Sequence, residues 1–330
     1  MLSRVANSIY WMSRNIERAE NVARFIDVNL KLMLDIPFGS HNQWEPLVNV
    51  TGERDWYLDH YKEFSQTNVI RFLTYDLEYP NSIFSCLASA RENARSIREV
   101  ISSEMWEQIN TFYLSVKHSS RSELELDQLH NFYTKIRNGS SLFNGITDAT
   151  MSHGEGWHFA RMGRMLERAD KTSRIVDMKY FILLPKSYDV GTPIDNIQWS
   201  ALLSSASGFH MYKQKYGSID PKYVATFLIL DRLFPRAIHY CLIKAEESLH
   251  HISGSPVGTF SNDAEQQLGR LRSEIDFTSI KEIIAQGMHE YLDDFQKNLN
   301  IVGDKIFETF FDLEHGPTNT FTNQEMLRQN

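Results

Sequence analysis

Two segments of the sequence carry the same pattern of arginines and carboxylates. Residues 14–27 read RNIERAENVARFID, and residues 164–177 read RMLERADKTSRIVD. On a helix, residues three, four and seven apart share a face, so each segment presents its charged side chains as one ridge. Guanidinium groups bind carboxylates and phosphates through paired hydrogen bonds. Two such ridges therefore have the chemistry to hold an anion.

The two segments match at a constant separation of 150 residues. The shared positions are Arg14, Glu17, Arg18, Ala19, Arg24 and Asp27 in the first segment and Arg164, Glu167, Arg168, Ala169, Arg174 and Asp177 in the second, with Glu20 matched by Asp170. An amphipathic pattern fixes apolar positions, but it does not require agreement at so many polar ones. The sequence therefore predicts an internally duplicated helical unit.

Two interpretations of the ridges follow from their chemistry. In the first, the charges form inter-helix ion pairs that fix the register of packing. In the second, the ridges converge on a cleft; an enzyme would there use Glu17 and Glu167 as acid and base groups, with arginines as anion clamps. The candidate functional residues are Arg14, Glu17, Arg18, Arg24, Arg95, Glu155, Trp157, Arg164, Glu167, Arg168, Asp170, Arg174 and Arg236.

The elements that position these residues are predicted to be helices. Glycine (16) and proline (9) are scarce for 330 residues, which favours long helices over a many-stranded sheet. We predict an all-α multi-helix bundle, with the repeat helices near residues 2–34 and 157–184. One domain is expected over residues 1–315, followed by a polar tail over 316–330.

The connections are predicted from their turn-forming residues. The segment from Gly145 to Gly156 indicates a structured loop, and the segment from Pro185 to Pro193 indicates a hinge. Pro235 is placed to begin a helix running through Leu249. That helix would put Arg236 near a helix N-terminus, a location that favours anions.

A metal site is a weaker alternative. Di-metal helical bundles use Glu-x-x-His motifs, and the sequence has two of them, Glu155-x-x-His158 and Glu247-x-x-His250. With 12 histidines and 42 acidic residues, such spacings also arise by chance. Arginines adjoin the remaining candidate ligands, Glu17 and Glu167. We therefore expect no metal and no cofactor, with a di-metal carboxylate bundle as the less favoured alternative.

Composition narrows the class of partner. The formal net charge of -8 argues against a general nucleic-acid binder, which needs a basic surface. Two cysteines provide neither a disulfide framework nor a metal-binding spacing. The sequence has no apolar run long enough to span a bilayer and no signal-peptide core at residue 1. We expect a cytoplasmic protein with no membrane partner.

Several short motifs, taken in order, resemble those of the bacterial alpha-E family, which is named for helices with a prominent Glu-Arg motif. They are MLSRVA at 1–6, YWM at 10–12, ERAEN at 17–21, ENAR at 92–95, GEGW at 154–157, ERAD at 167–170, DNIQW at 195–199 and FPR at 234–236. The likeness covers nearly the whole chain.

The resemblance implies a functional setting. Members of that family typically accompany circularly permuted ATP-grasp ligases and transglutaminase-like proteins, a combination that suggests the formation of amide or peptide bonds. We expect an accessory or scaffold protein that binds a partner or a peptide-like substrate through its paired Glu-Arg helices. An enzyme with a Glu/Arg cleft is the alternative.

Overall fold

The computed structural model describes residues 1–35, 44–119, 126–183 and 193–312, and in these ranges it contains helices and no strand. The helices are α1 (Ser3–Asp35), α2 (Glu45–Asn49), α3 (Arg54–Tyr61), α4 (Gln66–Tyr75), α5 (Ile83–Ser96), α6 (Ser103–Ser119), α7 (Leu126–Thr150), α8 (Glu155–Leu183), α9 (Pro193–Ser205), α10 (Phe209–Tyr216), α11 (Pro221–Ile229), α12 (Ile238–Ser253), α13 (Asp263–Phe277), α14 (Ile280–Gln286) and α15 (Met288–Phe310). The predicted all-α multi-helix bundle is confirmed.

The helices α1 and α8 form the centre of the bundle. They pack against each other, while α5 and α7 cover α1, and α12 and α15 cover α8. The apolar stripe of α1 is buried, with Ile9, Met12, Ile16 and Ile26 all at most 1% exposed. Because both helices are surrounded, their charged ridges also lie in the interior.

Small residues bring α1 and α8 unusually close. At position 163, glycine faces the backbone of α1, and a Cβ built there would lie 2.6 Å from the carbonyl oxygen of Tyr10. Ala19 and Ala169, further along the two helices, are completely buried. Glycine at 163 therefore allows an approach that no side chain permits.

Some predicted boundaries are correct and others are wrong. The repeat helices predicted near residues 2–34 and 157–184 agree with α1 and α8 to within two residues at each end. At the N-termini of α5 and α6, the Ser82 and Ser102 side chains each accept a backbone hydrogen bond. The predicted loop from Gly145 to Gly156 is wrong over most of its length, because α7 continues to Thr150 and α8 begins at Glu155. Gly145 interrupts nothing, since its exposed helical position needs no special backbone angle.

The helix predicted to start at Pro235 begins later, at Ile238, after a turn in which the Ala237 N–H donates to the Phe234 carbonyl. Arg236 thus precedes the helix rather than lying in its first turn. Further along the chain, Gly287, with φ 102°, separates α14 from α15. The predicted hinge, apart from Pro193, and the polar tail lie outside the described residues.

Paired contacts recur at a second constant separation, 155 residues, between α3–α5 and α10–α12. The hydroxyls of Tyr57 and Tyr212 each donate to the carbonyl six residues later. Asp76 and Asp231 each accept from the backbone N–H groups two and three residues on. The thiols of Cys86 and Cys241 each contact the carbonyl of the proline six residues before, at 3.8 and 3.6 Å. We infer that the duplication extends beyond α1 and α8; it stays a prediction.

The close helix contact makes a stability prediction. We expect Gly163→Ala to lower the free energy of unfolding by about 1–3 kcal/mol, because the new methyl group overlaps backbone that cannot rotate away. Gly145→Ala is the matched control, since its Cβ meets nothing within 4 Å. That control should raise stability by about 0.5–1 kcal/mol through helix propensity. Urea unfolding followed by circular dichroism measures both, and equal effects would contradict the close packing.

Candidate functional site

The charged ridges of α1 and α8 meet in reciprocal ion pairs. Arg18 donates two hydrogen bonds to Glu167, from Nε at 2.6 Å and from Nη2 at 2.9 Å. Arg168 donates in the same way to Glu17, at 2.9 and 2.8 Å. Each carboxylate is fully buried and lies on the helix opposite its arginine. The Glu-Arg motif of one helix therefore binds the Glu-Arg motif of the other.

Each central carboxylate has further cationic partners, and they differ between the two. Glu167 also accepts from Arg14 Nε at 2.9 Å and lies 3.5 Å from the Lys171 ammonium. Glu17 instead accepts from Arg236 Nη1 at 3.1 Å, and from Asn21 of its own helix at 3.0 Å. The two halves thus satisfy equivalent carboxylates with residues from different elements.

Two more carboxylates extend the cluster. Glu20 accepts from Arg24 at 2.6 Å, from the buried hydroxyl of Ser140 at 2.6 Å and from Arg236. Asp170 accepts from Lys171 at 2.8 Å and from Arg174 at 3.1 Å. The arginines also fix nearby loops, because Arg174 donates to the Val50 carbonyl.

The electrostatics of the cluster keep its carboxylates ionised. Burial opposes ionisation of Glu17, but the Arg168 and Arg236 charges outweigh burial and hold the pKa of Glu17 well below its usual range. The pKa of Glu167 is lowered likewise, because Arg18, Lys171 and Arg14 overcome the cost of its burial. Both groups are anions at neutral pH, with no proton to donate and little tendency to accept one.

Cations outnumber carboxylates in the cluster. In the described part of the chain, seven cationic side chains are paired with four carboxylates. The cations are Arg14, Arg18, Arg24, Arg168, Lys171, Arg174 and Arg236, and the carboxylates are Glu17, Glu20, Glu167 and Asp170. This cluster therefore has a positive formal charge, although the whole chain has a net charge of -8.

A cleft opens from this positive centre toward α15. It measures about 360 Å³, and its floor includes Arg14, Arg18 and Asp170. Trp11 forms one wall, with the Arg14 guanidinium 4.9 Å from its ring centre. Asn300, Gly303, Asp304 and Phe307 of α15 form the other. The volume lies at the lower end of the range for small-ligand pockets.

Not all candidate residues belong to this cluster. Arg95 is exposed on α5 and pairs with Glu92. Glu155 pairs with the amino group of Met1 at 2.7 Å, and Trp157 stacks on His153. Arg164, unlike its counterpart Arg14, bonds to no carboxylate of the cluster.

Arg236 does contribute, but as a partner of Glu17 and Glu20 rather than as a ligand group at a helix N-terminus. Sequence reasoning missed Asn81, whose side-chain oxygen accepts from Arg18, and Ser140, which bonds Glu20. The sequence signal that could have identified Asn81 is its position directly after Pro80, because Arg236 likewise directly follows Pro235.

The Glu-x-x-His motifs are not assembled into a common centre. Among the described residues, no group of three or more His, Cys, Asp or Glu side chains is placed to share a metal ion. Glu247 accepts from Lys244 and Arg161, and His250 contacts Ser255 at 2.8 Å. The described helices likewise include none long and apolar enough to cross a membrane.

Known proteins place this architecture in a family. Residues 1–311 match the family described as "a predicted alpha-helical domain with a conserved ER motif". The chain belongs to the Alpha-E family. The Glu-Arg pairs of this Alpha-E chain, Glu17-Arg18 and Glu167-Arg168, are the residues that meet between α1 and α8.

The relatives of this Alpha-E chain are longer than it is. Uncharacterised proteins of Mycobacterium bovis and of two Mycobacterium tuberculosis strains are 20% identical to it over 338 residues. The match covers 95% of this chain and 37% of each relative. The chain thus spans little more than a third of their length. No solved structure matches it with significant similarity.

Removing one central carboxylate should strongly destabilise the Alpha-E bundle. We expect Glu167→Gln to lower the free energy of unfolding by about 3–5 kcal/mol, because it leaves Arg14, Arg18 and Lys171 without their buried counter-charge. Glu99→Gln, at an exposed position, should change it by less than about 0.5 kcal/mol. Urea unfolding at pH 7 measures both variants, and similar values would show that the pair is dispensable.

The lowered pKa of Glu17, Glu167 and Asp170 predicts acid lability. These groups release protons more readily when folded than when unfolded, so their stabilisation is present above an unfolded pKa of about 4. It is lost as the pH falls below about 5 toward the folded values. The free energy of unfolding, measured in urea at pH 7, 5, 4 and 3, should fall steeply below pH 5. In Glu167→Gln the free energy of unfolding should fall less steeply with pH than in the wild type, and in Glu99→Gln it should fall as in the wild type.

Proposed function

We propose that this chain is a non-catalytic, accessory component of an ATP-grasp-linked system that forms amide or peptide bonds. It binds its partner or a peptide-like substrate beside the paired Glu-Arg helices. The ATP-grasp ligase is the principal expected partner, and a transglutaminase-like protein is the second. A cytoplasmic location, where ATP is abundant, fits this role.

One observation carries the non-catalytic part of the proposal: Glu17 and Glu167 are fully buried in arginine pairs. A general acid or base must reach the proton that it transfers and must change its protonation state near the working pH. These carboxylates are enclosed, and their lowered pKa keeps them charged. Their geometry suits the fixing of helix register better than acid-base chemistry.

The binding part of the proposal rests on the surplus of cations. The cleft of about 360 Å³ is lined by two arginines, Arg14 and Arg18, by two carboxylates, Asp170 and Asp304, and by the apolar surfaces of Trp11 and Phe307. Phe307 is 48% exposed. A short peptide-like ligand presents both an apolar body and a carboxylate. Such a ligand would place its carboxylate at Arg14 and Arg18 and its apolar body against Trp11 and Phe307.

The length of the relatives supports an accessory role. In each of them the region similar to this chain is joined to further sequence that makes up most of the protein. Fusion to further sequence is what we expect of a helical domain that works together with other domains. An enzyme that is complete as a single domain does not require such a fusion.

The cleft can be tested with two asparagines of α15. Asn300 lines the cleft, whereas Asn298 is exposed and, two residues away on a helix, points to a different face. We expect Asn300→Glu to weaken binding to an ATP-grasp ligase or to a peptide-like acceptor at least about tenfold, because the new carboxylate competes for the cations. Asn298→Glu should leave binding unchanged. Calorimetric titration of the ligase, and separately of a short acceptor peptide, measures both variants.

Equal binding by the two variants would contradict the cleft as the binding surface. The catalytic alternative has its own readout, the amide product formed by the reconstituted system with ATP. A folded Glu17→Gln/Glu167→Gln variant that keeps its partner and yet abolishes product would favour acid-base chemistry. If the accessory proposal holds, any such variant that stays folded should keep both binding and product.

A further inference from the structure

The arginines Arg14 and Arg164 occupy matching positions on α1 and α8, but only one of them is paired. Arg14 donates to Glu167 and to the Tyr10 hydroxyl. Arg164 has no hydrogen bond or ion pair among the described residues, and its Nε is buried without a partner. Arg236 reaches Glu17 from outside α8 and makes the contact that would have satisfied Arg164. The duplicated position therefore holds a cation with no protein counter-charge in contact.

Arg164 lines a small cavity between α1, α7 and α8 together with two other polar groups that have no hydrogen-bond partner. These are the buried hydroxyl of Ser13 and the half-buried amide of Asn144. Arg161 and Trp157 form the outer wall, with the guanidinium 5.3 Å from the indole ring centre. Of these groups, the Arg164 Nε is buried without a partner, which is costly, and Ser13 and Asn144 line the same cavity.

We propose that this cavity binds one oxyanion group, the carboxylate or phosphate of a ligand, with Arg164 as its cation and Ser13 and Asn144 as further donors. The cavity measures about 10 Å³, which is room for a single oxygen-sized atom. The partial exposure of Arg164 leaves the remainder of such a ligand outside. The inference rests on the proposed function and specifies the group that its substrate or partner would present.

The charges around the cavity favour an anion over a cation. Burial, and next the charge of Arg168, lower the pKa of Arg164 to about 10. The guanidinium therefore remains charged at neutral pH, but its surroundings make the charged form less favourable than in water. Arg161 adds a second positive charge, partly compensated by its pair with Glu247 at 3.2 Å. Glu17 and Asp148 offset part of this field without contacting Arg164. A bound oxyanion would supply the missing contact.

The test measures melting temperature at constant ionic strength with three probes. N-acetylglycine carries a carboxylate, N-acetylglycinamide is its neutral match, and inorganic phosphate represents the other source of the same chemistry. N-acetylglycine or phosphate, whichever the cavity fits, should raise the melting temperature of the wild type saturably, and N-acetylglycinamide should not. Chloride is the background anion throughout. In Arg164→Gln the apparent dissociation constant should rise at least about tenfold.

Arg14→Gln is the matched variant that separates a binding role from a structural one. Without added probe, Arg164→Gln should melt no lower than the wild type, because it removes an unpaired buried charge, whereas Arg14→Gln should melt lower. If Arg164→Gln is as destabilised as Arg14→Gln, or if it keeps the anion effect, the site is overturned. A response to N-acetylglycinamide equal to that of N-acetylglycine would also overturn it.

The outcome is distinguishable from that of the proposed function. Loss of the anion site with intact binding of the ligase to the α15 cleft overturns the present inference alone. An anion effect that depends on Arg164, in a chain that binds neither ligase nor acceptor peptide, supports the site and overturns the proposed function.

Discussion

Two carboxylates that no solvent reaches, Glu17 and Glu167, are each held by an arginine of the opposite helix. Removing a charge from water costs several kcal/mol, and its pairing must offset that cost through good geometry and extra hydrogen bonds. The paired N–H donors of Arg18 and Arg168 meet this requirement only when α1 and α8 are in one register. Gly163 makes that register sterically accessible. The covering helices then enclose a contact whose alternatives all leave buried charges unpaired.

The two halves of the cluster solve the same problem differently. Beside Glu167, the extra cation is Lys171 of α8, and the residue that matches Lys171 on α1 is the neutral Asn21. Beside Glu17, the extra cation is Arg236, and the residue that matches Arg236 in the other half is the neutral Asn81. The extra cation thus lies on a helix in one half and in the turn before α12 in the other. As a result Glu17 needs no further partner, and the arginine equivalent to Arg14 is left unpaired. The asymmetry between the halves, rather than their likeness, marks where a ligand is needed.

The sequence predicted the helical class and the approximate bounds of α1 and α8, because these depend on local pattern. It did not predict the role of Arg236, whose partner Glu17 lies 219 positions away and is chosen by tertiary packing. Gly145 indicated a loop because glycine has a low helix propensity. The prediction was wrong because propensity is a weak signal that the packing of neighbouring helical turns overrides. The second set of matched contacts was hidden because the separation changes from 150 to 155 residues and asparagine replaces arginine. Whether the ridges are exposed or enclosed also depends on helices distant in sequence.

Burial and charge together decide which chemistry this centre can support. Enclosure removes Glu17 and Glu167 from proton transfer, because they neither reach a substrate nor change protonation near neutral pH. It does not remove the field of the surplus cations, since electrostatic interactions are stronger in an interior of low dielectric than in water. Among the described residues, cations of the two helices line openings at the α15 cleft, where Arg14 and Arg18 lie beside Asp170 and Asp304, and at Arg164. The proposed use of the Glu-Arg helices in binding rather than catalysis rests on this combination of ionised, enclosed carboxylates and cations that line openings.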